Sequence, residues 1–250
     1  MNYQPRTYWE ERLAGHDGLQ ATGHLEHGRH YNWWLYQAKV KALRHALRLA
    51  RVNVSGRSIL DAGAGTGYFL SLYRRWGAAR LGAVDISPTS VRRLKEMFPS
   101  ATVWEADIAK GIPTNDEFDI VHAFDVIYHL QDPDFRAALP HLVRRCRPGG
   151  VLLLTDSFRV SMQPAAHVTF RTLSQYQEIL FRYGGDVVGM IPVYRFLNRR
   201  GWLGNELVSR RLLGVATDLF APLLYLADAV TMNLQNANLS LLVCRVRHSR

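Results

Sequence analysis

The segment Asp61-Ala62-Gly63-Ala64-Gly65-Thr66-Gly67 follows the short apolar run Ser58-Ile59-Leu60 and leads into Tyr68-Phe69-Leu70. A strand that feeds a helix through a glycine-dense turn reads this way. Glycines at such a turn let the backbone take unusual dihedrals and come close to a ligand. Amides at the following helix start point at whatever sits there. A dinucleotide reader would need G-x-G-x-x-G, and its third glycine would fall at Tyr68 or Leu70, so that pattern fails. A P-loop is excluded because no Gly-Lys-Ser/Thr follows. Asp85 closes the next apolar run, Arg80–Ser87, 18 residues after Gly67. A carboxylate there can accept both hydroxyls of a ribose. It could instead cap a helix starting near Pro88, although Ser87 can do that work.

His24, His27 and His30 fall at i, i+3, i+6, and imidazole is a common metal ligand. That spacing suits one helix face poorly, and Gly23 and Gly28 read as loop, so no metal site is expected.

These residues need elements to hold them. Apolar residues recur at helical spacing from Tyr31 to Ala50, behind an aromatic-rich segment in which Gly15–Gly28 reads as a flexible loop. Helices are expected over Tyr68–Trp76, Ser90–Met97, Phe135–Arg147 and Ser174–Tyr183, with Ser174 as a cap. Strands are expected over Ala101–Glu105, at Phe118 onward, over Val151–Thr155 and Asp186–Ile191, and over Ser240–Arg247. Strands alternating with helices give a parallel sheet, and ligands bind outside the carboxyl ends of its strands. Asp61, Asp85, Asp107, Asp125 and Asp156 all fall at or just beyond such ends, which points to one site.

The D-x-G-x-G-x-G spacing resembles the first motif of class I S-adenosylmethionine-dependent methyltransferases. The resemblance runs from about Arg57 to Thr155 and includes the Pro148-Gly149-Gly150-strand pattern. It implies an α/β, Rossmann-like, seven-stranded and mostly parallel sheet with an antiparallel last strand. Residues 1–55 would form N-terminal lid helices, 56–196 the nucleotide-binding core, 197–236 a helical insertion and 237–250 the last strand. It implies S-adenosylmethionine as cofactor. Asp61, acting directly or through water, and the Gly63, Ala64, Gly65 and Gly67 backbone would hold its amino-acid end. Asp85 and Ile86 would meet the ribose, and Asp107 and Ile108 the adenine. Phe124, Asp125 and, from the lid, Tyr31 complete the expected cofactor set. The turn after the fourth strand carries Asp125, Tyr128 and His129 toward the methyl group; His129 is a base or an orienting hydrogen-bond partner. His167 sits where acceptor-side residues belong, and a neutral imidazole takes a proton from a hydroxyl or ammonium. Arg171 could bind an acidic group of the substrate; the pair could equally be structural. Catalytic candidates are therefore His129, His167, Asp125 and Arg171.

The chain of 250 residues is 48% hydrophobic, enough for one sizeable domain. Cys146 and Cys244 show no zinc or redox spacing and fit a reduced cytoplasm. The opening residues lack the apolar core of a signal peptide, and no run is long enough for a spanning helix. The formal charge of +10 is spread over small arginine groups such as Arg74/Arg75, Arg144/Arg145/Arg147, Arg199/Arg200 and Arg210/Arg211. Solvated faces explain it better than a nucleic-acid partner. The apolar insertion reads as a cap over the acceptor pocket, a homodimer surface or a membrane-interface helix. The expected function is methyl transfer to a small-molecule acceptor, with O-methylation leading. N- or C-methylation, including an aromatic or prenyl carbon, remains open. So do an RNA or protein methyltransferase and a non-catalytic S-adenosylmethionine-binding protein.

Overall fold

The computed structural model describes residues 3–158, 162–198, 210–235 and 237–247. Arg199 and Arg200 lie outside them, as does most of the first part of the expected insertion. Among the described residues, seven strands form one sheet in the order β3-β2-β1-β4-β5-β9-β8. They are β1 (Ser58–Ala62), β2 (Arg80–Asp85), β3 (Thr102–Glu105), β4 (Phe118–Ala123), β5 (Cys146–Asp156), β8 (Gly185–Tyr194) and β9 (Leu239–Val246). The pairs β1–β2, β1–β4, β2–β3 and β4–β5 are parallel, and β9 runs antiparallel to both β5 and β8. This is the expected sheet. The chain order reverses direction at β1 and β4, so the crevice beyond their carboxyl ends is where a ligand binds in such sheets.

Both sheet faces are buried, which is why the strands read as unbroken apolar runs. Successive side chains alternate faces. Thus Val151 and Leu153 of β5 join the core under α3 (Arg29–Leu49), α4 (Tyr68–Arg75) and α5 (Pro88–Met97). Leu152 and Leu154 join the opposite core under α6 (Asp132–Arg145) and α7 (Leu173–Arg182). Helix α3 buries Leu35, Ala38, Ala42, Leu43, Ala46 and Leu47. Truncating the fully buried Leu43 to Ala would cost about 2–5 kcal/mol.

Several expectations are corrected. Gly15–Gly28 is not one loop: α1 (Pro5–Gly15) and α2 (Gly18–Thr22) occupy most of the N-terminal segment. Tertiary contacts fix α1. The Glu10 carboxylate accepts hydrogen bonds from Ser87 Oγ (2.5 Å), Thr89 N (3.1 Å) and Thr89 Oγ1 (2.6 Å) at the start of α5. The cap of α7 is Thr172 in a capping box with Gln175, two residues before the expected Ser174. Ahead of α7, β6 (Met162–Ala165) and β7 (Val168–Phe170) pair as a hairpin that carries His167 at its turn. In the expected insertion, α8 (Arg210–Thr231) runs continuously through Asp218 and Asp228. Asp218 Oδ1 accepts the Tyr31 N–H (2.6 Å), and Asp228 accepts the N–H groups of Arg195, Phe196 and Leu197. With both carboxylates turned to backbone donors, Leu219, Phe220, Leu223, Leu226 and Val230 are left exposed. Among the described residues, no helix is long and apolar enough to cross a membrane.

Candidate active site

The turn after β1 is closed by the end of β2. Gly63 N and Ala64 N donate to Val84 O at 2.7 and 3.1 Å. Gly65 N donates to Asp85 Oδ2 at 2.6 Å, and Ser87 N donates to Asp85 Oδ1 at 2.9 Å. Gly63 and Gly65 have φ of 81° and 52°, a region that L side chains resist. A Cβ on Gly63 would come within 2.3 Å of Val126 Cγ2, so only glycine lets the loop lie this close to the turn after β4. Ser87, not Asp85, caps α5, accepting from Ser90 N at 3.1 Å. Asp85 is thereby left to face the ligand space. Each of its oxygens holds one backbone N–H and keeps another lone pair. Burial pushes its carboxyl up, and the bonds from Ser87 and Gly65 pull it back.

Beyond these strand ends lies a cavity of about 970 Å³, counting its open mouth. Of the residues expected at a site, Gly63, Ala64, Gly65, Asp85, Ile86, Asp107, Ile108, Phe124, Asp125 and His129 line it. Asp107 Oδ1 accepts from Ala109 N at 3.0 Å. Pro5, Trp9 and Leu13 of α1 contribute from above, a roof that hydrophobic periodicity did not reveal.

His129 is held by its neighbours. Its Nδ1 lies 2.6 Å from His167 O, and its ring meets Trp9 edge-on at 4.9 Å. A carbonyl only accepts, so Nδ1 carries the proton and Nε2 the free lone pair. Burial pushes the imidazole down to about 4, so it is neutral at ordinary pH.

Other expected residues sit elsewhere. Asp61 is 2% exposed and does not line the cavity. Its Oδ1 is 3.1 Å from His122 Nε2, too poorly aligned for a hydrogen bond, and Oδ2 has no partner. Burial and nearby Asp85 raise its carboxyl well above the usual range, while burial lowers His122 to about 3. Gly67, with φ of 74°, starts α4 and does not line the cavity. Tyr31 packs on His27 (ring centroids 4.1 Å apart) and joins α3 to α8. Tyr36, on the same helix, lines the cavity in its place, its hydroxyl 2.6 Å from Thr22 Oγ1. His167 does not line the cavity itself; its ring stacks on Tyr8 at 4.9 Å and on His129 at 5.7 Å, and its carbonyl holds His129 Nδ1. Arg171 is 1% exposed. Its Nη2 donates to Leu130 O (2.7 Å) and Asp132 Oδ1 (2.8 Å), and its Nη1 to Thr169 O (3.1 Å). It is a strut between the turn after β4 and the hairpin, not a reader of substrate charge. His24 and His27 meet in a T-shaped contact with ring centroids 5.6 Å apart, while His30 bonds Asp218 O at 2.9 Å. Of the α8 residues whose side chains are described, 218–231, none lines this cavity.

Asp125 has a partner that sequence reading missed. Its carboxylate pairs with Lys39 of α3. Lys39 lies four residues from both Leu35 and Leu43, which are buried, so the sequence did carry the signal: a lysine in the apolar stripe.

The chain is 31% identical over 157 residues to trans-aconitate 2-methyltransferase of Escherichia coli O1:K1. The matched stretch covers 61% of this chain and 60% of that relative's length. The N-methyltransferase NodS of Bradyrhizobium japonicum WM9, solved with S-adenosyl-l-homocysteine, superposes with a TM-score of 0.62 at 18% identity, covering 97% of this chain and 98% of that one. Magnesium protoporphyrin IX methyltransferase (ChlM) of Synechocystis PCC 6803, solved with bound SAM, gives a TM-score of 0.57 at 15% identity over 99% and 93% of the two chains. At such identities the two structures speak to the fold alone. A family model described as a methyltransferase domain matches residues 33–188, which takes in the glycine turn, Asp85, Asp107, Asp125 and His129, and the chain belongs to that methyltransferase family.

Proposed function

We propose that this chain binds S-adenosylmethionine in the cavity and transfers its methyl group to a small-molecule acceptor. The observation that carries the reading is the shared wall of Gly63–Gly65, Asp85 and Asp107 at the carboxyl ends of β1 to β3. The residues present fit such a ligand. Asp85 keeps lone pairs for two hydroxyls, Asp107 and Ile108 stand at the next strand end for a purine, and the glycine turn offers bare backbone. When bound, the cofactor supplies a methyl group already activated on a positively charged sulfur. The protein's share is then chiefly alignment of acceptor and donor, exclusion of water and removal of a proton.

His129 does the last of these in this reading. Its Nδ1 proton is committed to His167 O, so Nε2 takes the proton of a hydroxyl or amine acceptor. O-methylation of a hydroxyl leads for that reason. A carboxylate acceptor, as the name of the trans-aconitate relatives gives for those proteins, needs no base. It would also want a cation, and Lys39 and Arg171 are already paired with Asp125 and Asp132.

Calorimetric titration with S-adenosylmethionine and S-adenosylhomocysteine tests the assignment. Wild-type protein should bind both, and Asp85→Ala should bind them at least about tenfold more weakly, the loss of two hydrogen bonds near a charged group. Equal affinity for the Asp85→Ala variant overturns the ribose assignment, and no binding by the wild type overturns the function.

A further inference from the structure

Lys39 is 2% exposed, an unusual place for an ammonium. It pairs with Asp125 and sits 4.2 Å over the ring of Tyr36. Burial disfavours the charged form, but Asp125 and Tyr36 outweigh it and hold the lysine above its ordinary value. A buried pair that only joined two elements could sit anywhere along α3. This one ends on the cavity wall, because Asp125 lines it between Phe124 and Val126.

Asp125 is fixed with unusual care. Its φ is 58°, a left-handed conformation that costs a non-glycine residue about 1–2 kcal/mol. Its N–H donates to Thr155 Oγ1 at 2.7 Å. Val126, next in the chain, closes against Gly63. Helix α3, the turn after β4 and the end of β5 therefore converge on one carboxylate beside the glycine turn.

Resting on the methyl-transfer reading above, we propose that Lys39 is a positioning residue that acts through Asp125, balancing its charge so that the cavity does not overstabilise the cationic donor. The physics is differential binding. Methyl transfer disperses the positive charge on sulfur, so an uncompensated carboxylate nearby would favour the ground state over the transition state. It would also favour the cationic donor over its neutral sulfide product. Lys39 removes that bias while leaving Asp125 as a hydrogen-bond acceptor on the wall.

The test reads the ratio of two dissociation constants, S-adenosylhomocysteine over S-adenosylmethionine, by calorimetry on the full chain. Both ligands carry the same nucleoside and amino-acid groups, so the ratio isolates the sulfonium charge. Lys39→Met leaves Asp125 uncompensated and should raise the ratio about threefold or more; Asp125→Asn leaves Lys39 uncompensated and should lower it by a similar factor. Lys39→Arg and the double variant Lys39→Met/Asp125→Asn, which keep or remove both charges, should stay within about twofold of wild type. Should Lys39→Met fail to fold, Asp125→Asn and the double variant still decide the matter. A purely structural pair would weaken both ligands alike, and a ratio unmoved by the single variants overturns the proposal while leaving the methyl-transfer reading intact. If the wild type binds neither ligand, both fall together.

Discussion

The Nδ1 of His129 and the backbone carbonyl of His167 lie 2.6 Å apart, and that contact settles which imidazole nitrogen is basic. The acceptor is a backbone group, so no titration elsewhere can switch it. Burial adds to the effect by holding the ring neutral down to about pH 4.

His129→Gln keeps a hydrogen-bonding side chain but no base. It should lower turnover by about 10²–10⁴-fold for a hydroxyl acceptor, the usual worth of a general base. S-adenosylhomocysteine affinity should stay within a few-fold. Single-turnover assays with a panel of hydroxyl and amine acceptors check this, and unaltered turnover would remove His129 from the chemistry.

Arg171 gives the opposite expectation. Its guanidinium bonds Leu130 O, Thr169 O and Asp132, and it lies 4.2 Å over the Phe135 ring. Arg171→Met should destabilise the fold by about 3 kcal/mol, because carbonyls of the turn and the hairpin lose their donor. Chemical denaturation measures it. Ligand affinity of the folded protein should change little, since Arg171 does not line the cavity. A selective loss of affinity for acidic acceptors, with stability intact, would restore its substrate role.

These two residues show how far a sequence reaches. Asp85, Asp107 and Asp125 were legible because a polar residue ending an apolar run has one place to go in a parallel sheet, its carboxyl edge. Arg171 and Tyr31 suit a site by chemical type, and type does not reveal that Asp132 and Asp218, distant in the chain, hold them elsewhere. Helix α1 was illegible for another reason. Tyr8, Trp9 and Leu13 make no clean apolar stripe, and the helix is held by Glu10 on α5 and by its roof position over the cavity. Lys39 is legible in the sequence as a lysine within the apolar stripe of α3.

Glu10 carries its own prediction. Three hydrogen bonds join its carboxylate to Ser87 and Thr89, and with Arg6 nearby they hold it below the ordinary glutamate range despite some desolvation. Glu10→Ala should loosen α1 over the cavity. Bound S-adenosylhomocysteine should then dissociate several-fold faster in a stopped-flow chase, and limited proteolysis should cut sooner between residues 15 and 23. An unchanged release rate would mean that α1 does not gate the ligand. Since a depressed carboxyl supports the fold above its unfolded value and loses that support as pH falls through the folded one, wild-type release should also quicken in mild acid.

Acid sensitivity has a second source in the buried histidines. Burial lowers His24 and His122 to about 3 and His129 to about 4, whereas an unfolded histidine titrates near 6.5. The unfolded chain therefore binds more protons below pH 6.5, and stability falls as pH drops from about 6.5 toward 4. Each such histidine contributes about 1.4 kcal/mol per pH unit inside that window. Buried Asp61, Asp85 and Asp156, all raised by desolvation, act with the opposite sign, so the difference between variant and wild type is the clean measurement. His122→Phe suits it, because the ring already packs against Phe69, Tyr73 and Phe124 and makes no aligned hydrogen bond. Relative to wild type, the variant should gain stability steadily between pH 6.5 and 4.5 and show no such trend between pH 7 and 8. Denaturation midpoints that move in parallel across the whole range would mean that folding leaves the proton affinity of His122 unchanged.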